Sequence, residues 1–210
     1  MGNITEVVKN LIIINAIFFL GSVLLMPSAI IPFDRHVLAL HFFLYDDFQP
    51  FQIVTHMFMH SNVIIFHIIF NMISLYFFGP PLENLWGPKR FLFFYLVAGL
   101  GAALIHMGSS YYEYIQDPTQ YIVPALGASG AVYGVLVGFA MLFPRRKIML
   151  LFPPIPMPAG VLVLLMIGYD LYAGLSGSGT GIAHFAHLGG AFFGALMVWY
   201  WKSKGRGYSK

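Results

Sequence analysis

The chain has 210 residues, 59% of them hydrophobic and only 9% charged, with positive mean hydropathy; this excludes a soluble globular domain and describes a polytopic membrane protein. The net charge of +3 comes from basic residues beside apolar runs, with no long Lys/Arg stripe, so a nucleic-acid partner is excluded. There is no cysteine, which rules out disulfides and thiolate metal sites.

Six apolar segments follow one another, each bounded by charge, Pro or Gly: Leu11 to Ile31, Val54 to Phe78, Phe91 to Met107, Ser129 to Phe143, Pro158 to Ala173 and Ile182 to Trp201. The fold class expected is all-α, a six-helix transmembrane bundle. No polar block is long enough for a separate soluble unit, so residues 1–210 are read as one transmembrane domain with a short tail over about 202–210. The first segment lacks a small-residue cleavage site and is read as a retained span. Pro32 to Gln52 is rich in Phe, Leu and His but broken by Asp34, Arg35, Asp46, Asp47 and Pro50, so it is expected to lie in the membrane interface rather than cross it. Gly108 to Leu126 reads as a polar loop. Leu175 to Gly181, with three Gly and three Ser or Thr, reads as a flexible loop suited to a lid, although a linker has the same composition.

Orientation follows from the cations. With the N-terminus inside, ten of the eleven Lys and Arg fall on the cytoplasmic side and only Arg35 lies outside, which places both termini in the cytoplasm. The expected location is a cell (cytoplasmic or inner) membrane, with the start of the fourth span near the extracytoplasmic face.

That fourth span starts at Gly127-Ala128-Ser129-Gly130, a poor place to continue a helix and a good place to begin one. A helix from Ser129 to Pro144 is roughly 22 Å long, short of a hydrocarbon core of roughly 30 Å. Ser129 is then expected at a helix N-terminus below the membrane surface. A serine that only caps its helix would look the same at this stage. In the last span His187 lies roughly 7 to 8 Å down from Ile182 by helical rise, a depth that matches Ser129; His184 lies nearer the surface. Gly130, Gly134 and Gly138 repeat at every fourth position, as do Ala186, Gly190 and Gly194, and such small-residue faces allow close helix approach in lipid. Tyr133 is one turn from Ser129, where its ring can stack on an imidazole. His56, His60, His67 and Asn71 are placed along the second span. His67 and Asn71 share one helical face and offer hydrogen-bond donors of the kind a developing oxyanion needs. His56 and His60 share the same spacing, but no carboxylate or Cys completes a metal set, so they are read as structural; no metal and no cofactor are expected.

The Gly127-Ala128-Ser129-Gly130 run followed by Tyr133, the Ala186-His187-Leu188-Gly189-Gly190 run followed by Gly194, and the His67/Asn71 pair together resemble the rhomboid intramembrane serine proteases. Glu83, Gly87, Arg90 and Phe91 match a further, structural pattern of that family. The resemblance runs from about Gln52 to the sixth span and has no substitution at a chemical position. It implies Ser129 as nucleophile and His187 as general base, a dyad without an acidic third member, since the last span has no Asp or Glu and Asp170 is the only carboxylate in a span. It implies an oxyanion hole of His67, Asn71 and the Ser129 N–H, with Tyr133 packing on His187, Gly127 shaping the nucleophile turn and Gly190 and Gly194 serving helix packing. The implied function is hydrolysis of peptide bonds in or near transmembrane segments, with transmembrane proteins as substrates and the lipid bilayer as partner. A channel or transporter using the histidines, and a non-catalytic binder of the same fold, are the rival readings.

Overall fold

A computed structural model describes residues 4–25, 37–61, 64–150, 154–176 and 183–205. Six long helices dominate them: α1 (Glu6–Leu25), α3 (Ile65–Trp86), α4 (Pro88–Gln116), α5 (Ser129–Leu142), α6 (Ala159–Leu175) and α7 (His184–Ser203), with a short α2 (Gln52–Thr55) and a 3-10 turn (His56–Phe58) before α3. Two three-residue strands, β1 (Lys147–Met149) and β2 (Pro156–Pro158), form an antiparallel hairpin between α5 and α6. Three helices, Glu6–Leu24, Ile65–Trp86 and Pro88–Gln116, are long and apolar enough to cross a membrane, and Ser129–Leu142 and Ala159–Leu175 are shorter apolar helices. Large side chains such as Leu164, Leu165, Tyr172 and Phe192 face outward, as expected where the solvent is lipid rather than water.

Several sequence boundaries require correction. The second segment does not run helically from Val54. Gln52 is buried and ties up the preceding loop instead: its amide N donates to the Val37 and Asp47 carbonyls, and its Oε1 accepts from the His41 and Gln49 N–H groups. The chain from Gln52 to Ser61 therefore belongs to the loop, and His56 and His60 precede α3 rather than lie along it. At its other end α3 continues past Phe78 through Pro80 and Pro81 to Trp86. There Glu83, almost wholly buried, accepts from Thr5 Oγ1 and from the Val7 and Val8 N–H groups at 3.0 Å, which caps the free first turn of α1. Helix α4 is also longer than expected. It runs through the polar stretch after Gly108 until Asp117-Pro118, because polarity does not stop a helix and a proline does.

The loop from residue 37 to 51 is anchored by a buried stretch, Ala39, Leu40, His41 and Phe42. Leu40 and Ala125 exchange both backbone hydrogen bonds. Phe42 packs at a tilt against Tyr114 near the C-terminal end of α4, and the Tyr45 ring lies parallel to that of Tyr121. The interfacial segment expected at Pro32 to Gln52 is thus tied to the stretch leading into α5; its residues 32–36 lie outside the described part, as do residues 177–181 of the expected lid.

Helices α4, α5 and α7 form the centre. Gly190 lies so close to the Gly130 carbonyl that a Cβ there would overlap it, and a Cβ on Gly194 would sit 2.8 Å from Gly134 Cα. Such approach maximises dispersion contact where lipid supplies no hydrophobic drive. The fourth-position face expected to meet the last span points first at α4, where a Cβ on Gly130, Gly134 or Gly138 would meet Ala102, Ala98 or Phe94, and α7 reaches the α5 backbone at Gly130 and Gly134 through Gly190 and Gly194. Near the other end Trp86, Phe94 and Trp201 form an aromatic cluster.

Candidate active site

Helix α5 has 14 residues, roughly 21 Å by helical rise, and Ser129 is its first. The turn before it depends on Gly127, whose φ of +123° is open to glycine and strained for other residues; a Cβ there would also fall 2.6 Å from His67 Nε2. The N–H groups that precede the helix are engaged from the loop side: Gly127 donates to the His56 carbonyl at 2.9 Å, and Ala128 donates to His60 Nε2 at 3.4 Å.

Ser129 Oγ lies 3.0 Å from His187 Nε2, across the α5–α7 seam. The Tyr133 ring stacks on the His187 imidazole with centroids 4.2 Å apart and planes inclined by 12°. Behind the imidazole, Nδ1 of His187 lies 3.1 Å from Asp170 Oδ1 on α6, and Nδ1 of His184 reaches the same oxygen at 2.6 Å. Asp170 is 1% exposed. The expectation of a histidine without an acidic neighbour is therefore corrected. A carboxylate at this position on a packed helix orients the ring, favours a proton on Nδ1 and leaves Nε2 as the acceptor that faces the serine.

On the opposite side, the His67 ring lies against Gly127 and edge-on to His60, with centroids 5.1 Å apart. Asn71 Nδ2 donates to His60 Nε2 at 3.2 Å, which uses one of its two N–H groups. His56 Nδ1 bonds the Gln52 carbonyl, so His56, through its carbonyl, and His60, through Nε2, serve the nucleophile turn and the Asn71 amide. A recess beside Ser129, lined by His56, Met57, Ala125, Gly127, Ala183 and Ala186, provides room for water next to the hydroxyl.

Of the residues singled out from sequence, Ser129, His187, Tyr133, Gly127 and His67 meet around one small volume, with Asn71 joined through His60. Gly130, Gly134, Gly190 and Gly194 form the seam that brings α5 and α7 together. Sequence reasoning passed over Asp170, His184 and His60 as site members. Asp170 was detectable as the one carboxylate in an apolar span, where a charge is costly without a partner.

The family model described as the Rhomboid domain matches residues 47–204. Similar proteins include RHOMBOID-like protein 12, mitochondrial, of Arabidopsis thaliana, 36% identical over 70% of this chain and 45% of its own length. Rhomboid protein 1, mitochondrial, of Saccharomyces cerevisiae is 34% identical over 64% of this chain and 37% of its own. Rhomboid protease AarA of Providencia stuartii is 31% identical over 67% of this chain and 52% of its own. The matched region thus spans about half or less of these relatives. The expected cell-membrane location is overturned by the mitochondrial proteins among them, which point away from it. Taken with the helical bundle, the match over most of its length shows that the chain belongs to the rhomboid family, which includes proteases.

Proposed function

We propose that this chain is an intramembrane serine endopeptidase built as a single six-span domain with both termini on the basic side of the bilayer, and that its substrates are transmembrane proteins. The observation that carries the reading is the 3.0 Å approach of Ser129 Oγ to His187 Nε2, with Asp170 behind the imidazole. Ser129 is the nucleophile and His187 the general base that later protonates the leaving amine. The second N–H of Asn71, His67 and the Ser129 N–H at the start of α5 are the donors for the oxyanion; the helix N-terminus adds its positive end at the same point. Tyr133 holds the imidazole plane and Asp170 its tautomer. The substrate must unwind locally, because helical carbonyls are already hydrogen-bonded. Water from the recess beside Ser129 resolves the acyl-enzyme.

A non-catalytic binder of the same fold requires none of this geometry, and a transporter predicts solute flux that survives Ser129→Ala. The test is covalent labelling of the purified chain by a fluorophosphonate, together with cleavage of a model single-span substrate. Both are expected in the native protein and both should vanish in Ser129→Ala and in His187→Ala. Labelling or cleavage that persists in Ser129→Ala would refute the nucleophile assignment.

A further inference from the structure

The side chains behind His187 do more than one histidine needs. Asp170, His184 and His187 each offer one donor atom, and these atoms all lie within 4.8 Å of one another. Two imidazole Nδ1 atoms converge on a single carboxylate oxygen, at 2.6 and 3.1 Å. The second oxygen, Asp170 Oδ2, is buried and has no hydrogen-bond partner among the described residues. The Tyr133 hydroxyl also acts on this carboxylate, from the α5 side. A carboxylate that is 1% exposed and half satisfied is an expensive arrangement if its only task is to steady a base.

We propose that Asp170, His184 and His187 form an inhibitory site for a divalent metal ion of borderline softness, with zinc as its occupant. Two histidines and a carboxylate make a donor set that suits zinc, with a fourth position left to water. Ligands about 2.0 to 2.1 Å from a tetrahedral ion stand about 3.3 Å apart. The present separations from Asp170 Oδ1 are within a few tenths of an ångström of that for His187 and somewhat further for His184, and Oδ2 is available to share the charge. The three residues come from two helices packed together, so small side-chain shifts are enough to admit the ion.

The consequence for the reaction follows from the tautomer. Without metal, His187 carries its proton on Nδ1, toward Asp170, and keeps Nε2 as an acceptor for the Ser129 proton. A cation on Nδ1 takes that lone pair, and the proton of the neutral ring moves to Nε2. His187 then presents an N–H to Ser129 Oγ and cannot accept the serine proton. The ring stays neutral and no bond to substrate is involved; the metal removes the base by fixing the wrong tautomer. This inhibition rests on the reading of His187 as general base, whereas metal binding itself does not.

The experiment uses the full chain without a polyhistidine tag, in detergent or lipid nanodiscs. In Ser129→Ala, Co²⁺ is titrated and its visible absorption recorded, followed by competition with Zn²⁺. One Co²⁺ per chain is expected, with the strong bands of a tetrahedral site, displaced by Zn²⁺. Adding Asp170→Ala should abolish the signal, and adding His184→Gln should weaken binding at least about tenfold. In the catalytic form, Zn²⁺ should stop fluorophosphonate labelling and a chelator should restore it. The half-inhibitory zinc concentration should rise about tenfold or more in His184→Gln, measured against that variant's own metal-free rate. Absence of stoichiometric Co²⁺ binding, or an unchanged half-inhibitory concentration in His184→Gln, overturns the proposal. Cobalt binding to Ser129→Ala with no labelling of the metal-free native chain would sink the protease reading and leave the metal site standing.

Discussion

Replacing Asp170 by Asn keeps the shape of the side chain and removes its charge, so it isolates what the carboxylate does for His187. In the proposed reaction the imidazole becomes positive as it takes the Ser129 proton. The carboxylate, bonded to Nδ1 at 3.1 Å, then faces that charge at a centre-to-centre distance of about 4 Å, worth about 4 kcal/mol at an effective dielectric of about 20. Part of the effect is already spent on His184, which bonds the same oxygen, and an Asn carbonyl can still accept from Nδ1. About 2 to 3 kcal/mol is therefore expressed in the barrier, a loss of roughly 30- to 150-fold in kcat. KM should change little, because Asp170 lies behind the imidazole and away from the serine. The assay is turnover of a single-span substrate in nanodiscs, with the endpoint of fluorophosphonate labelling used to count folded sites. Substituting a buried carboxylate can stabilise or destabilise the bundle, and the endpoint separates that from catalysis. A folded Asp170→Asn protein with native kcat would refute the role given to the carboxylate.

Four further outcomes follow. His67→Ala should lower kcat by roughly 10² to 10³ with little change in KM, as loss of one oxyanion donor does; a change confined to KM would place His67 in substrate binding instead. Gly127→Ala must adopt a φ of +123° and press its Cβ on His67, so it should cost about 1 to 3 kcal/mol of stability and most of the activity, read by thermal unfolding and turnover. Glu83→Gln removes the charge that holds the first turn of α1, with an expected loss of about 1.5 to 3 kcal/mol; proteolysis should then release the α1 segment first. Tyr133→Phe keeps the ring stacked on His187 and should retain most turnover, while Tyr133→Ala should lose at least about tenfold, and equal rates for the two would argue against the stacking role.

Much of this site was legible in the chain because its elements are written in local chemistry. The Gly127-Ala128-Ser129-Gly130 run announces a helix start, and the small residues at every fourth position announce close packing. Both signals survive folding because backbone φ and Cβ volume are properties of single residues. Boundaries were less legible. Helix α3 runs through two prolines because Glu83 anchors that end across the bundle to α1, and the apolar stretch after Val54 leaves the helix because Gln52 binds the backbone of the loop before it. Each acts through a partner outside the helix concerned.

By itself the sequence determined the solvent, the helical class and the helix start at Ser129, because hydropathy and glycine need no neighbours. Only the tertiary structure decided that a carboxylate stands behind His187. Asp170 and His187 are 17 positions apart on different helices. Their meeting depends on how α6 rotates against α7, and no periodicity within either helix specifies that rotation. The same holds for His60, whose link to both Asn71 and the turn before Ser129 arises because an extended segment, rather than a helix, passes between them.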